Sequence, residues 1–196
     1  MPCLPNSPPA RRVVSLNDRE INAEIIESCR QGDRDAFRAL YEAYKDKVYS
    51  IALYFFHGDS AAASDATQQV FLKLITGITR FRGDSKFSTW LYRMVVNTCM
   101  DSARSAKRRE TTAELERIAV GTSQEEDIAR TETAGRVQAA LSSLPPKLRL
   151  PILLRYFEDF SYGQMAEALN CSAGTVASRL HKGHKLLAEK LARLVR

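Results

Sequence analysis

Residues Ser161 to Lys182 carry two helix-start signals eleven positions apart: Ser161 with Gln164 three residues on, and Ser172 ahead of Ala173, Gly174 and Thr175. A serine followed at that distance by glutamine is a capping box, in which each side chain satisfies a backbone amide that the first turn leaves free. The spacing predicts a helix over Tyr162–Leu169, a turn at Asn170-Cys171, and a second helix opened by Ser172. That spacing is the one of two helices crossed over a single tight turn. In a helix-turn-helix the second helix enters the DNA major groove by its N-terminal residues. Small residues there let backbone approach phosphate, and the positive end of the helix dipole favours an anion. Arg179, Lys182, Lys185 and Lys190 follow along the same helix, and residues 136–196 hold ten Lys/Arg against four Asp/Glu, a net of +6. Duplex DNA is the expected partner of this segment.

Elsewhere the apolar residues also recur at three and four, as in Phe37, Leu40, Tyr41, Tyr44, Val48 and Ala52, and no stretch alternates as a strand would. Gly32-Asp33-Arg34-Asp35 separates the first two helices, with Asp33 or Asp35 as cap. Gly58-Asp59-Ser60 opens a third helix over about 61–76. The Arg82–Ser85 turn precedes a long helix from Thr89 to Arg108. Between 111 and 135 six acids face two bases and apolar residues thin out, which is linker composition. The expected layout is all-α: a disordered leader at 1–23, a helical domain at 24–110, an acidic flexible linker at 111–135, and a small basic helical domain at 136–196. Two modules on a tether suit two separated contacts on one extended partner.

Bulk properties narrow the functions. No apolar run approaches the ~20 residues that span a bilayer, and the opening Met-Pro-Cys-Leu-Pro is not a secretory signal. A pI near 9.2 fits a polyanionic partner. The four cysteines, Cys3, Cys29, Cys99 and Cys171, are scattered and form no Cys-x-x-Cys pair, so neither a disulfide framework nor a zinc site is expected, and the cytoplasm is the expected compartment. No metal, no cofactor and no catalytic residue is expected: carboxylate clusters with metal spacing, a phosphate-cradling glycine loop and a nucleophile arrangement are all missing from the sequence.

A second chemical signal lies in the first domain. Thr79 to Thr98 interleaves Phe81, Phe87, Trp90 and Tyr92 with Arg80, Arg82, Lys86 and Arg93, and Arg93, Asn97, Asp101, Arg104 and Arg108 recur along one helix face. Trp90, Leu91, Met94 and Val95 fall on another face. Aromatic rings stack on unpaired bases while Arg and Lys follow phosphates, the chemistry of single-strand capture. A base drawn out of the stack also needs hydrogen bonds at its edge, and an asparagine offers donor and acceptor together.

Five motifs in order resemble the extracytoplasmic-function sigma factors, the two-domain members of the bacterial sigma-70 family: Asp35–Tyr41, Asp65–Phe71, Phe81–Arg93 with Asn97, Leu144-Pro145, and Gly174–Leu180. The resemblance spans about 24–193 and implies a region 2 helical bundle joined to a region 4 helix-turn-helix. It implies that Asp65, Gln68, Gln69, Val70 and Phe71 dock on the β′ clamp helices of core RNA polymerase, with a further contact to the β flap. It assigns the −10 element, as single strand, to Phe81, Arg82, Ser85, Trp90, Arg93, Asn97, Arg104 and Arg108, and the −35 element, as duplex, to Ser172, Gly174, Thr175, Ser178, Arg179 and Lys182. An anti-sigma factor, commonly at the inner membrane, is a further implied partner; direct membrane insertion is not. Two positions depart from the family pattern. Gln69 stands where the docking motif usually has Glu, and Pro151 falls inside the helix over Lys147–Phe157, which predicts a late start or a kink. The alternative function is a conventional helix-turn-helix regulator that binds duplex operators without polymerase.

Overall fold

The computed structural model describes residues 23–113 and 130–194, with side chains described over 23–105 and 135–192. The expected leader and most of the expected linker lie outside the described residues. Eight α-helices follow in order: α1 (Ala23–Arg30), α2 (Arg34–Phe55), α3 (Ser60–Gly77), α4 (Phe87–Ala113), α5 (Arg130–Ser142), α6 (Pro146–Phe157), α7 (Tyr162–Ala168) and α8 (Ala173–Leu194). A 3-10 turn at Ile78–Arg80 joins α3 to the loop before α4, and the described residues include no strand. The chain is all-α, as its periodicity predicts.

Caps set the boundaries. Of the two candidates before α2, Asp33 is the cap, accepting from the amides of Asp35 at 2.8 Å and Ala36 at 3.3 Å. Asp59 does the same for α3 through Ala62 N–H at 2.9 Å. The helix expected over Thr89–Arg108 extends at both ends, to Phe87 and Ala113, so its last residues enter the segment expected to be linker.

Pro151 does not delay its helix. The α6 helix starts at Pro146 and continues through Pro151 to Phe157. Pro145 at the cap and Pro146 at the first helical position preset the backbone for helix entry. Burial of Leu150, Ile152, Leu153 and Leu154, each at most 3% exposed, then offsets the backbone hydrogen bond that Pro151 cannot donate.

Around α2, the α1, α3 and α4 helices form one bundle, and α5 to α8 form the other; the two are packed together. One buried cluster runs from Ile26 through Leu91 to Leu180. Across the seam Tyr54 meets Phe157 at 4.9 Å between ring centroids and Tyr92 meets Phe160 edge-on at 5.3 Å. Arg149, 2% exposed, sits between the bundles. Its guanidinium donates to the Ser142 and Leu144 carbonyls, both at 2.7 Å, and to the Phe55 carbonyl at the end of α2, with His57 Nε2 3.2 Å away. Carbonyl oxygens thus replace the carboxylate that a buried guanidinium would otherwise need.

Candidate nucleic-acid interface

The loop between the 3-10 turn and α4 is built on three rings. Phe81, Phe87 and Trp90 lie 5.2 to 5.8 Å apart between centroids, with Phe81 and Phe87 only 7% exposed. Past Phe81 the chain reverses at Gly83, whose φ of +81° favours a residue without a Cβ. The turn leaves Arg82 exposed and Ser85 half-buried. Together with Arg80, Asp84, the edge of Trp90 and Arg93 they line an open pocket of about 160 Å³, and Glu167 of α7 closes one side.

From that pocket a polar stripe runs along α4: Arg93, Asn97, Asp101 and Arg104 are all exposed. Arg104 and Asp101 lie 3.5 Å apart, an ion pair weakened by the exposure of both partners. Arg108 lies outside the described side chains. The opposite face packs inward through Leu91, Val95 and Cys99, with Trp90 and Met94 half-buried. Burial pushes the Cys99 thiol up to about 12, against the opposing influence of the Lys73 ammonium, so it is a packed thiol rather than a reactive one.

In the second bundle the capping box forms in both directions: Gln164 N–H donates to Ser161 Oγ at 3.2 Å, and Ser161 N–H to Gln164 Oε1 at 3.0 Å. Asn170 takes a left-handed φ of +48° in the turn, a conformation asparagine tolerates. Ser172 Oγ accepts from Thr175 N–H at 3.1 Å and also shares a 2.9 Å bond with the Thr175 hydroxyl. Ser172, Gly174, Ser178 and Lys182 are exposed along one edge of α8, while Thr175 and Arg179 are half-buried. Arg179 folds back until Nη1 is 3.7 Å from Cys171 Sγ. Gly183 permits α8 to cross α6 closely: a Cβ there would stand 2.8 Å from Ile152 Cδ1. His184 Nε2 shares a 3.3 Å hydrogen bond with the Tyr156 hydroxyl across α6 and α8.

A third surface is the groove between α2 and α3, about 480 Å³, lined by Tyr41, Lys45, Gln68, Phe71, Leu72 and Ile75 among others. Leu72 is 56% exposed and Ile75 51%, unusual exposure for aliphatic side chains. Asp65, Gln68 and Gln69 are exposed on α3, whereas Val70 is 1% exposed and belongs to the core.

Most of the residues singled out from sequence therefore gather into three surfaces. Val70, Phe71 and Phe81 are the departures: all three are buried, at 1%, 7% and 7% exposure, although Phe71 still lines the groove and Phe81 the pocket. Leu72, Ile75 and Tyr41 were missed. Leu72 and Ile75 stand one and two helical turns beyond Gln68 and Tyr41 lies on α2, but periodicity alone assigns apolar residues at such spacing to a core.

Comparison with known proteins agrees with this division. A family model described as Sigma-70 region 2 matches residues 40–109, and one described as Sigma-70, region 4 matches 134–187. The chain is 32% identical to the RNA polymerase sigma-H factor of Pseudomonas aeruginosa, over 91% of this chain and 97% of that one. It is 32% identical to the ECF RNA polymerase sigma factor SigW of Bacillus subtilis, over 85% and 94%. It is 31% identical to the ECF RNA polymerase sigma-E factor of Escherichia coli K12, over 92% and 100%. Among solved structures, CnrH in complex with the cytosolic domain of CnrY superposes with a TM-score of 0.68, at 22% identity over 88% of this chain and 98% of that one. The sigma factor RpoE, in complex with the anti-sigma factor NepR from Bartonella quintana, gives 0.65 at 21% identity over 80% and 96%. Two matched regions in order, with relatives about 32% identical aligned along nearly their whole length, place this chain in the extracytoplasmic-function (ECF) sigma factors of the sigma-70 family.

Proposed function

We propose that this chain is an alternative sigma factor: it binds core RNA polymerase, reads a −35 element as duplex, captures the −10 element as a melted strand, and so starts transcription of a stress or envelope-type regulon. The observation that carries this reading is the coexistence of an aromatic, cationic pocket at the head of α4 with an exposed, capped α8 N-terminus on one chain. A regulator of duplex operators has use for the second surface and none for the first. RNA synthesis itself belongs to the polymerase; this chain contributes recognition and melting.

The division of labour follows from the surfaces. Ser172, Gly174, Thr175, Ser178, Arg179 and Lys182 meet the −35 duplex, and Arg82, Ser85, Trp90, Arg93, Asn97 and Arg104 the −10 strand, with Phe81 supporting the loop from beneath. The groove bearing Gln68, Phe71, Leu72 and Ile75 takes the β′ clamp helices, with Asp65 at its edge, and α5–α8 meet the β flap. An anti-sigma factor is the expected inhibitor, since the similar sigma factor RpoE was solved with the anti-sigma factor NepR. No helix among the described residues is long and apolar enough to cross a membrane. Because core polymerase and promoter are its proposed partners, the chain acts in the cytoplasm or is held at the membrane by that inhibitor.

We infer that the two bundles part when both elements are read. Sites one helical turn apart on DNA are already separated by about 34 Å. The residues between 113 and 130 reach about 50 Å when fully extended, which suffices for the bundles to part.

The test is abortive transcription by core polymerase with and without the protein, across a promoter library. Start sites that depend on the protein and share two upstream elements at fixed separation support the assignment. No stimulation, with tight duplex binding in the absence of polymerase, would replace it with the conventional regulator. In the same assay Asn97→Ala costs about 1–3 kcal/mol on the cognate −10 base and little on a substituted one. Arg179→Ala weakens binding to many −35 sequences and lowers the salt slope by about 1.

A further inference from the structure

We propose that Arg30, at the C-terminal end of α1, is a positioning residue for base capture, fixing the Phe81–Ser88 loop in place by holding the Phe81 carbonyl; the inference rests on reading that loop as a −10 contact. Arg30 lies 51 residues from Phe81 in sequence and ahead of residue 40, where the region 2 match begins.

The guanidinium divides its two terminal nitrogens between different tasks. Nη1 pairs with Glu27 Oε2 at 3.0 Å, one helical turn back, and Nη2 donates to the carbonyl of Phe81. An arginine free of structural duty extends into water; this one is only 32% exposed and is braced at both ends. Its own base is firm, because Ile26 and Cys29 of α1 are buried at 8% and 1% exposure. Phe81 is thereby fixed three ways. Its N–H donates to the Ile78 carbonyl at 3.1 Å, its ring packs against Phe87 and Trp90, and its carbonyl is taken by Arg30. Immediately afterwards come the exposed Arg82 and the left-handed Gly83. The Phe81 carbonyl is thus the last fixed point before the turn that shapes the pocket. A recognition site held by its supporting residues to within about 0.5 Å discriminates; one that drifts further binds without discriminating.

Trp90 is the only tryptophan in the chain, so its fluorescence reports the loop independently of any promoter. The experiment compares wild type, Arg30→Ala, Arg30→Lys and Glu27→Gln by acrylamide quenching of Trp90. The same proteins are assembled as holoenzyme on cognate, −10-substituted and −35-only DNA. In Arg30→Ala, quenching rises and the preference for cognate over substituted −10 falls roughly tenfold, the scale of one charge-assisted hydrogen bond. Binding to −35-only DNA stays at the wild-type level. Arg30→Lys, which keeps a donor and the charge, recovers part of both readouts. Glu27→Gln moves both in the direction of Arg30→Ala, by less. Unchanged Trp90 quenching overturns the proposal, as does an equal loss on all three DNAs. If Arg30→Ala does not fold, a wild-type response in both Arg30→Lys and Glu27→Gln overturns it equally. If quenching shifts while wild type itself shows no −10 preference, the promoter reading fails and the base-capture role goes with it, leaving Arg30 as a loop anchor alone.

Discussion

The two proposed nucleic-acid surfaces are built in opposite ways. The helix-turn-helix is assembled from neighbours: Ser161 with Gln164, and Ser172 with Thr175, each three residues apart. The pocket at the head of α4 is assembled from distance, with Arg30 of α1 reaching Phe81 and Glu167 of α7 lining one side. Duplex reading needs only a rigid rod with a clean N-terminus, which local capping supplies. Capturing a single base needs a concave site, and concavity requires elements that meet from different parts of the chain. One surface is therefore robust to change elsewhere in the molecule and the other is not.

Arg149 is the place to break that contrast, because it serves both bundles. Within its own bundle it takes the Ser142 and Leu144 carbonyls, and across the seam it takes that of Phe55. Arg149→Ala leaves those carbonyls buried without a donor, and the expected loss is about 3 kcal/mol of unfolding free energy, measurable by urea titration. Calorimetry should at the same time resolve a single transition into two, as the bundles uncouple. A loss under about 1 kcal/mol, with one transition retained, would show that the ring contacts Tyr54–Phe157 and Tyr92–Phe160 hold the seam unaided.

Ser161→Ala probes the local side of the contrast. Removing the cap oxygen frees the Gln164 amide and dismantles half of the box, for an expected cost of about 1 kcal/mol. The damage should stay in α7, so −35 affinity falls severalfold while Trp90 quenching does not move. A shift at Trp90 would mean that α7 supports α4 closely enough to erase the distinction between the two surfaces.

The same contrast explains what could be read from the sequence. Helix starts at Asp33, Asp59, Ser161 and Ser172 are written in residues within one turn of each other, and all four caps form. The all-α architecture and the exposed stripe Arg93, Asn97, Asp101 and Arg104 follow from period alone. What periodicity could not supply was the sign of burial at a face edge. Val70 and Phe81 satisfy the same spacing rules as residues that reach solvent, yet neighbouring helices cover them, whereas Leu72 and Ile75 are left open. Pro151 did not delay its helix for a related reason: its rule is local, and the burial that keeps α6 intact comes from its packing on α2 and α8. Arg149 and Arg30 were illegible too, since their partners lie 94 and 51 residues away.

His57 gives the finest test, because its chemistry depends on the seam being closed. It adopts a left-handed φ of 63° just past α2 and, although exposed as a residue, turns its Nε2 edge to the buried Arg149 at 3.2 Å. Burial first, and the Arg149 charge second, hold its pKa below the ordinary 6.5. Between the lowered value and 6.5 the unfolded chain therefore carries a proton that the folded chain does not. The contribution to stability is complete above 6.5, declines as pH falls through that window, and levels off once the folded imidazole is also protonated. Solvent exposure makes the effect small, so it should be read as a difference in slope. His57→Asn is the matched control, since asparagine accepts the left-handed backbone and does not titrate. The thermal midpoint of wild type should fall more steeply than that of His57→Asn as pH drops below neutrality. In Arg149→Ala the extra slope should shrink, because the cation that opposes protonation is gone. Parallel slopes in wild type and His57→Asn would mean that the imidazole does not stay beside Arg149 in solution, and the seam would then be held by its aromatic contacts rather than its polar ones.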